Sequence, residues 1–326
     1  MTIKEDIIDG SQKAKASRLS FGEELAELGA KDARIVALDA DLSKSTRTDL
    51  FAAKFPNRFF NMGIAEANMI GTAAGLALSG KIPFAASFGA FLTGRFDQIR
   101  MSISFTGANV RLVGTHAGVA IGEDGHSQMA LEDLALMRTM PNMSVFQPAD
   151  DWDTREFMRW SLTHKGPCYM RLTRQNLPAL KRKAGTTFVP GRWQTLWDRG
   201  AEGPIVLLAS GGLVGPTIDA LEILAKEWGP EKLVLVNANW IRPLDEFLLM
   251  ELMNRKAKAF VTLEDHYTVG GLGGAVAEFV ASRASGARVM RIGLEEFGQS
   301  GSPEDVYRFY GFTGNGLADR IRSWLG

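Results

Sequence analysis

Three short stretches of the chain gather side chains capable of chemistry. The first, NMGIAEANMIG at 61–71, sets Glu66 in the opening turn of a helix directly after a strand. A carboxyl there can act as an acid–base group, although the helix dipole and free N–H groups favour an acid at that place on structural grounds alone. The second, THAGVAIGEDGHSQMALEDLALMR at 115–138, leaves a strand end through a glycine-rich loop carrying His116, Asp124 and His126, then enters a helix. Open α/β sheets hold ligands in loops at the carboxyl ends of their strands, and this loop takes two of the chain's four histidines. The third, CYMRLTRQNLP at 168–178, places Arg171 and Arg174 three apart near a strand end. Their planar forks suit phosphate or carboxylate; the plainer use of such a pair is a surface salt bridge. GEDG at 122–125 and GLGG at 271–274 lack the patterns of a phosphate loop or a dinucleotide fingerprint, so neither supports nucleotide binding.

These stretches need a scaffold. Strand-like runs at 34–43, 83–91, 109–118 and 142–150 alternate with helix-length segments near 18–30, 64–79, 96–106, 129–139 and 151–163. Such alternation predicts a parallel sheet covered by helices on both faces. In the helix at 64–79, Gly71, Ala73, Ala74 and Gly75 remove bulk, which suits close packing on the sheet or another helix. KRKAGTTFVPGRWQTLWDRGAEG at 181–203 has no clear period and reads as a linker with exposed tryptophans. A second α/β pattern then restarts with strands at 204–212, 232–240, 257–266 and 287–296. The expected architecture is therefore a tail at 1–14, an α/β domain at 15–180, the linker, and a second three-layer α/β domain at 204–326, both with mostly parallel sheets.

Composition narrows the function. The 326 residues fit two domains, and 37 basic against 37 acidic side chains leave no polybasic surface for nucleic acid or anionic lipid. A single cysteine, Cys168, excludes a disulfide framework and a cysteine-built metal site. The start, MTIKEDIIDG, lacks the apolar stretch of a signal peptide, and no run of 18 apolar residues spans a membrane, so the expectation is a soluble cytoplasmic protein.

Taken in this order, the three motifs resemble the pyrimidine-binding and C-terminal domains of transketolases over about residues 15–326. SFGAFLTGRFDQIRM at 87–101, GEDGHSQMALEDLALMR at 122–138 and VTLEDHYTVGGLGGAV at 261–276 extend the resemblance beyond the short motifs. It implies thiamine diphosphate as cofactor, with Glu66 as the glutamate that contacts the aminopyrimidine ring and so promotes loss of the thiazolium proton. That task needs a carboxyl able to carry a proton near neutral pH, so burial of Glu66 is expected. The resemblance also implies an aromatic wall at Phe91, with Phe96 as a further candidate, and cofactor contacts at Asp41 and Gln128. It assigns Arg18, Ser45 and Arg174 to the sugar phosphate, and His116, in the catalytic set, and Asp124 to the donor's hydroxyls. Many members carry a histidine where this chain has Gln128; His126, two residues earlier, is a candidate supplement.

The GDG…Asn marker of the family's diphosphate-binding domain is absent from this sequence, and this chain offers no metal-binding group. The resemblance thus implies the C-terminal subunit of a split transketolase. A separate N-terminal subunit would hold Mg²⁺ and the diphosphate in an α₂β₂ assembly that includes homodimerisation of this chain. The implied reaction transfers a two-carbon ketol unit from a ketose phosphate to an aldose phosphate. The alternatives are a subunit of the deoxyxylulose-phosphate-synthase or 2-oxo-acid dehydrogenase beta type, and a noncatalytic regulatory paralogue. EDH at 264–266, with no second histidine in its domain, is expected to be structural or interfacial.

Overall fold

Every residue of Ile35–Asp39 and Ile82–Phe88 is buried, as parallel strands covered on both faces require. The computed structural model describes residues 2–283 and 285–326. In it these two runs pair in parallel within a sheet whose order is Trp240–Arg242, Ser144–Phe146, Cys168–Arg171, Arg111–Thr115, Ile82–Phe88, Ile35–Asp39 and Phe59–Asn61. Only Trp240–Arg242 runs antiparallel. A second sheet takes the order Arg288–Leu294, Ala259–Tyr267, Ile205–Ala209, Leu233–Asn237 and Gln194–Trp197, antiparallel only at the last. The expected pair of mostly parallel α/β domains is therefore present.

Three local expectations are revised. The run at 232–240 is not one strand: Leu233–Asn237 belongs to the second sheet, while Trp240–Arg242 crosses over and extends the first. Aromatic packing explains the crossing, since Trp240 is buried edge-on against Phe146, Phe157 and Trp160 at ring distances of 5.0–5.6 Å. At the break, the Asn237 and Asn239 amides both donate to the buried carboxylate of Asp153, at 2.8 and 3.2 Å. Second, the stretch read as linker contains the strand Gln194–Trp197, and its tryptophans are buried rather than exposed. Their indole N–H groups donate to the carbonyls of Trp240 and Pro230. Third, the stretch read as a tail includes the helix Ile3–Ile7, whose Ile7 packs into the second domain's core and whose Lys4 pairs with Asp219 at 2.6 Å.

The helix Glu66–Leu78 buries Met69, Ile70, Ala73 and Ala74 and leaves Gly75 and Leu78 exposed. Its small residues thus pack the sheet on one side only. Ile64 and Leu78 are 85% and 69% exposed at its two ends, and Phe105, on the neighbouring helical turn, is 81% exposed, so these apolar side chains are left uncovered among the described residues.

Where the two domains meet, Arg171 is completely buried. Its Nε donates to both oxygens of Asp133, at 3.0 and 3.1 Å, and its Nη2 to the carbonyls of Ala130 and, in the second domain, Asp265. Tyr169 donates to the same Asp133 carboxylate at 2.6 Å. Asp265 in turn accepts from the Val119 amide at 2.8 Å and the Tyr307 hydroxyl at 2.9 Å. Burial pushes the Asp265 carboxyl above its usual range, with Arg171 opposing. Gly118, at φ +86°, lies where any side chain would strike the Asp265 carboxylate.

Removing one partner of a fully buried ion pair strands the other. Asp133→Ala should lower unfolding free energy by about 3–5 kcal/mol, whereas Arg34→Ala at the exposed Asp32 pair should leave it nearly unchanged. Urea unfolding of the full chain measures both.

Candidate active site

The candidate residues collect at the carboxyl ends of the first sheet. Ile35–Asp39 runs into a loop organised by Asp39, a buried carboxylate that accepts from the Leu42 amide and from the hydroxyls of Thr46, at 2.6 Å, and Thr48, at 2.9 Å. Burial outweighs these bonds and raises the Asp39 pKa above the ordinary range. The loop so fixed presents Asp41 and Ser45. Asp41 sits at φ 67° and exchanges hydrogen bonds with Asn61: its amide donates at 3.2 Å and its carboxylate accepts at 3.1 Å. The carbonyl of Ser45 accepts from Arg18 Nη1 at 2.7 Å, which ties the first turn of the helix Ser17–Lys31 to the loop.

Glu66, the first residue of its helix, is 5% exposed. Among the described residues its carboxylate has one hydrogen bond, accepted from Ser87 Oγ at 3.4 Å. Ser87 and Phe88 end the strand Ile82–Phe88. Phe88 stacks between two rings: Phe91, at 5.6 Å and 14°, and His116, at 3.7 Å and 20°. His116 ends the neighbouring strand in the left-handed region, φ 55°, where a residue with a side chain is strained. Thr115 Oγ1 lies 2.9 Å from His116 Nδ1 and 3.4 Å from the Ser87 carbonyl. A chain of contacts therefore links Glu66 to His116 through Ser87 and Thr115.

Burial, with the Arg18 and Arg174 guanidiniums adding to it, pushes the His116 pKa down to about 3, so the ring is neutral near pH 7. Arg18 is itself held below its ordinary value, by burial and then by Arg174 and Arg47. Cations thus crowd one place, and the only carboxylate that meets them among the described residues is Asp124. Arg174 donates to the Ile121 carbonyl and stands 3.6 Å from Asp124, a half-exposed, long ion pair. Arg18, Ser45, His116, Asp124 and Arg174 are accordingly brought together. Arg171 is not, since its charge is consumed in the domain core.

Other candidates are placed differently. Phe96 is half-buried against the main core and lines a groove of about 430 Å³ with Arg100, Phe105 and Met140, which no other candidate residue lines. Gln128 is half-buried on the short 3₁₀ turn His126–Gln128. The His126 ring faces Phe297 of the second domain, and its Nδ1 accepts from the Gly298 amide at 3.1 Å. EDH is structural, as expected. Glu264 caps the helix Leu272–Ala281 by accepting from the Leu272 and Gly273 amides, and His266 Nε2 accepts from the Ala135 amide across the domain boundary. Sequence reasoning missed Phe88 and the organiser Asp39. The only local signal for either was its position at the end of an apolar strand run.

A buried carboxyl with a spare oxygen, set beside stacked phenyl rings, suits a flat heteroaromatic ring with a protonatable nitrogen. Two guanidiniums sharing one long carboxylate contact suit a small phosphate-like anion. Among the described residues no three His, Cys, Asp or Glu side chains gather to hold a metal ion.

Two family models match the chain, the transketolase pyrimidine binding domain over residues 13–179 and the transketolase C-terminal domain over 197–317. A putative transketolase C-terminal section of Methanocaldococcus jannaschii is 43% identical across 94% of this chain and 95% of that protein. A 6-deoxy-6-sulfo-D-fructose transketolase subunit of a Clostridium species is 36% identical across 91% of this chain and 90% of its own length. Human transketolase is 34% identical across 95% of this chain, which spans only 49% of that enzyme. Among solved structures, one described as a split gene transketolase, inactive β4 tetramer, superposes with a TM-score of 0.83 at 39% identity, covering 94% of this chain and 97% of its own.

The depressed His116 pKa predicts a pH effect with a definite sign. Unfolded histidine titrates near 6.5 and folded His116 near 3, so between these values the unfolded state binds the extra proton. Stability should fall as pH drops through that window. His116→Asn should flatten this part of the curve in urea unfolding, and the ring resonances of wild-type His116 should not titrate above about pH 5.

Proposed function

The chain belongs to the transketolase family, and from that premise we propose that it is the C-terminal subunit of a split, thiamine-diphosphate-dependent transketolase. The observation that carries this reading is the cationic site of Arg18 and Arg174 beside a neutral His116, joined through Phe88 and Ser87 to the buried Glu66. A ketose phosphate needs an anion site, a hydroxyl site and a cofactor site in that adjacency.

The residues present fit the aminopyrimidine end of the cofactor. Glu66 has a carboxyl oxygen free to meet a ring nitrogen and hold a proton there, and Phe88 with Phe91 offers a stacked apolar face. The chemistry that bound thiamine diphosphate supplies is a carbon nucleophile and an electron sink for the two-carbon unit. The chain's own part is positioning. Arg18 and Arg174, with Ser45, grip the phosphate of donor and acceptor. His116 can accept or donate a hydrogen bond to a donor hydroxyl without the cost of charging between two arginines. Asp124, loosely paired to Arg174, can exchange that partner for sugar hydroxyls. Phe96, lining its separate groove, is the weaker wall candidate, while Asp41 and Gln128 are the further cofactor contacts of this reading.

The fit stops at the diphosphate, since among the described residues no three His, Cys, Asp or Glu side chains gather to hold its metal ion. In this reading Mg²⁺ and the diphosphate are held by a separate N-terminal subunit in an α₂β₂ complex. The uncovered apolar surface of Ile64, Leu78 and Phe105 supports such an assembly, because it begins two residues before Glu66. The relative described as an inactive tetramer of one subunit type points the same way. The sulfosugar-using relative favours one variant of the reading, in which the arginine pair receives a sulfonate rather than a phosphate.

Reconstitution tests the proposal. The chain alone should bind thiamine diphosphate poorly and transfer no ketol unit, whereas mixing it with a transketolase N-terminal-type subunit should yield activity that Glu66→Gln abolishes. Substantial turnover by the isolated chain would refute the split arrangement. In the active complex, Arg174→Ala should raise KM for phosphorylated sugars roughly tenfold or more, as loss of a charge-assisted bond implies. Unphosphorylated donors should be little affected. A sulfonated sugar replacing the phosphate ester as the better substrate would select the variant.

A further inference from the structure

None of the residues named for the site above belongs to the second domain, yet that domain grips the loop that carries His116 and Asp124. Between Thr115 and the helix Asp133–Arg138 the chain is tied within its own domain at its base, by the single bridge Ala117–Ala130 and the Ala117 amide on the Leu172 carbonyl, while its tip turns through Gly122 and Gly125 at φ +93° and +76°. A loop of this kind takes its rigidity from outside. Its two ends are fixed by the Asp265 carboxylate, which accepts from the Val119 amide, and by the Tyr267 amide, which donates to the Leu131 carbonyl at 2.8 Å. The tip is fixed separately, by residues 297–300 of the second domain. Ser300 Oγ donates to the Glu123 carbonyl at 2.6 Å, and the Gly298 amide donates to His126 Nδ1 at 3.1 Å while Phe297 packs on the His126 ring at 4.4 Å.

His126 differs from its neighbours in this tip. Asp124 turns to Arg174 of its own domain, and Gln128 has no side-chain hydrogen bond among the described residues, so His126 is the tip side chain that bonds across the domain boundary. The 3₁₀ turn then runs from His126 to Gln128, with the Met129 amide donating to the His126 carbonyl. Fixing the His126 ring therefore fixes the backbone on both sides, two residues from Asp124 and two from Gln128.

We propose that His126 is a positioning residue: docked on Phe297 and Gly298, it lets the second domain set the placement of Asp124 and Gln128 toward the sugar. This rests on the reading of the loop as part of a sugar site, and it gives the second domain a task in that site. A purely structural contact would change stability. A positioning contact changes loop order and substrate binding while the fold persists. Phe297 is 71% exposed, so its removal opens no core cavity.

The test compares wild type, His126→Ala, Phe297→Ala and His126→Asn, whose amide oxygen can stand where Nδ1 stands. Amide hydrogen exchange on the isolated full chain should be roughly tenfold faster over residues 119–130 in the two alanine variants, the opening expected from losing a hydrogen bond and a ring contact. In His126→Asn it should return close to wild type. In the reconstituted complex the alanine variants should raise KM for the donor sugar several-fold with kcat little changed, and His126→Asn should restore it. Unchanged exchange in His126→Ala, or faster exchange with an unaltered KM, would overturn the proposal. Faster exchange in a complex whose wild type transfers no ketol unit would overturn the functional reading instead and leave the clamp in place.

Discussion

The rest of this structure depends on where the charge of Arg171 goes. A guanidinium with no access to solvent must find partners for its donors: Asp133 takes Nε and carbonyls of both domains take Nη2, while Nη1 is left without a partner among the described residues. One of those carbonyls belongs to Asp265, so that Nη2 bond is made only with the second domain docked. The other belongs to Ala130, at the end of the glycine-rich loop, so Arg171 ties the docked second domain to the closed loop. The Tyr169 and Tyr307 hydroxyls extend the network on either side, with burial the main cause that pushes both phenols well above their ordinary range.

On that foundation the candidate site shows the marks of a place shaped for chemistry rather than for stability. His116 and Asp41 occupy left-handed backbone that costs folding energy. Glu66 is buried with a single long hydrogen bond, and Arg18 and Arg174 crowd each other beside a neutral imidazole. Elsewhere several buried charges are paired, as Glu24 is with Arg155 and Arg159, and Asp150 with Arg182. The contrast lies in pairing: these carboxylates meet guanidiniums at 2.5–2.8 Å, whereas Glu66 meets only one hydroxyl at 3.4 Å.

Much of this was legible beforehand. Continuous apolar runs marked the central strands, because strands covered on both faces cannot alternate. Strand-end loops carrying His116, Asp124 and Glu66 stood out because residue types that rarely cluster did so at the ends of those runs. Other features left no local trace. Arg171 and Arg174 look equivalent in CYMRLTRQNLP, and only the depth of Asp133 separates a core ion pair from a solvent-facing cation. Phe88 resembles any strand phenylalanine until His116 stacks on it. Trp240 appears to continue a strand, yet its ring is drawn to Phe146, Phe157 and Trp160 in the other domain.

The sequence by itself determined the two α/β domains, the order of their strands along the chain and the stretches on which reactive side chains lie, because period, apolar runs and glycine placement act over a few residues at a time. Only the tertiary structure decided which of those side chains are spent on the core and which face the site, why His116 is neutral, and how the second domain comes to hold the loop that carries Asp124 and His126. Those outcomes depend on desolvation and on contacts between residues more than a hundred positions apart, such as Arg138 with Glu278 and His126 with Gly298. No window along the chain contains both partners of such a contact.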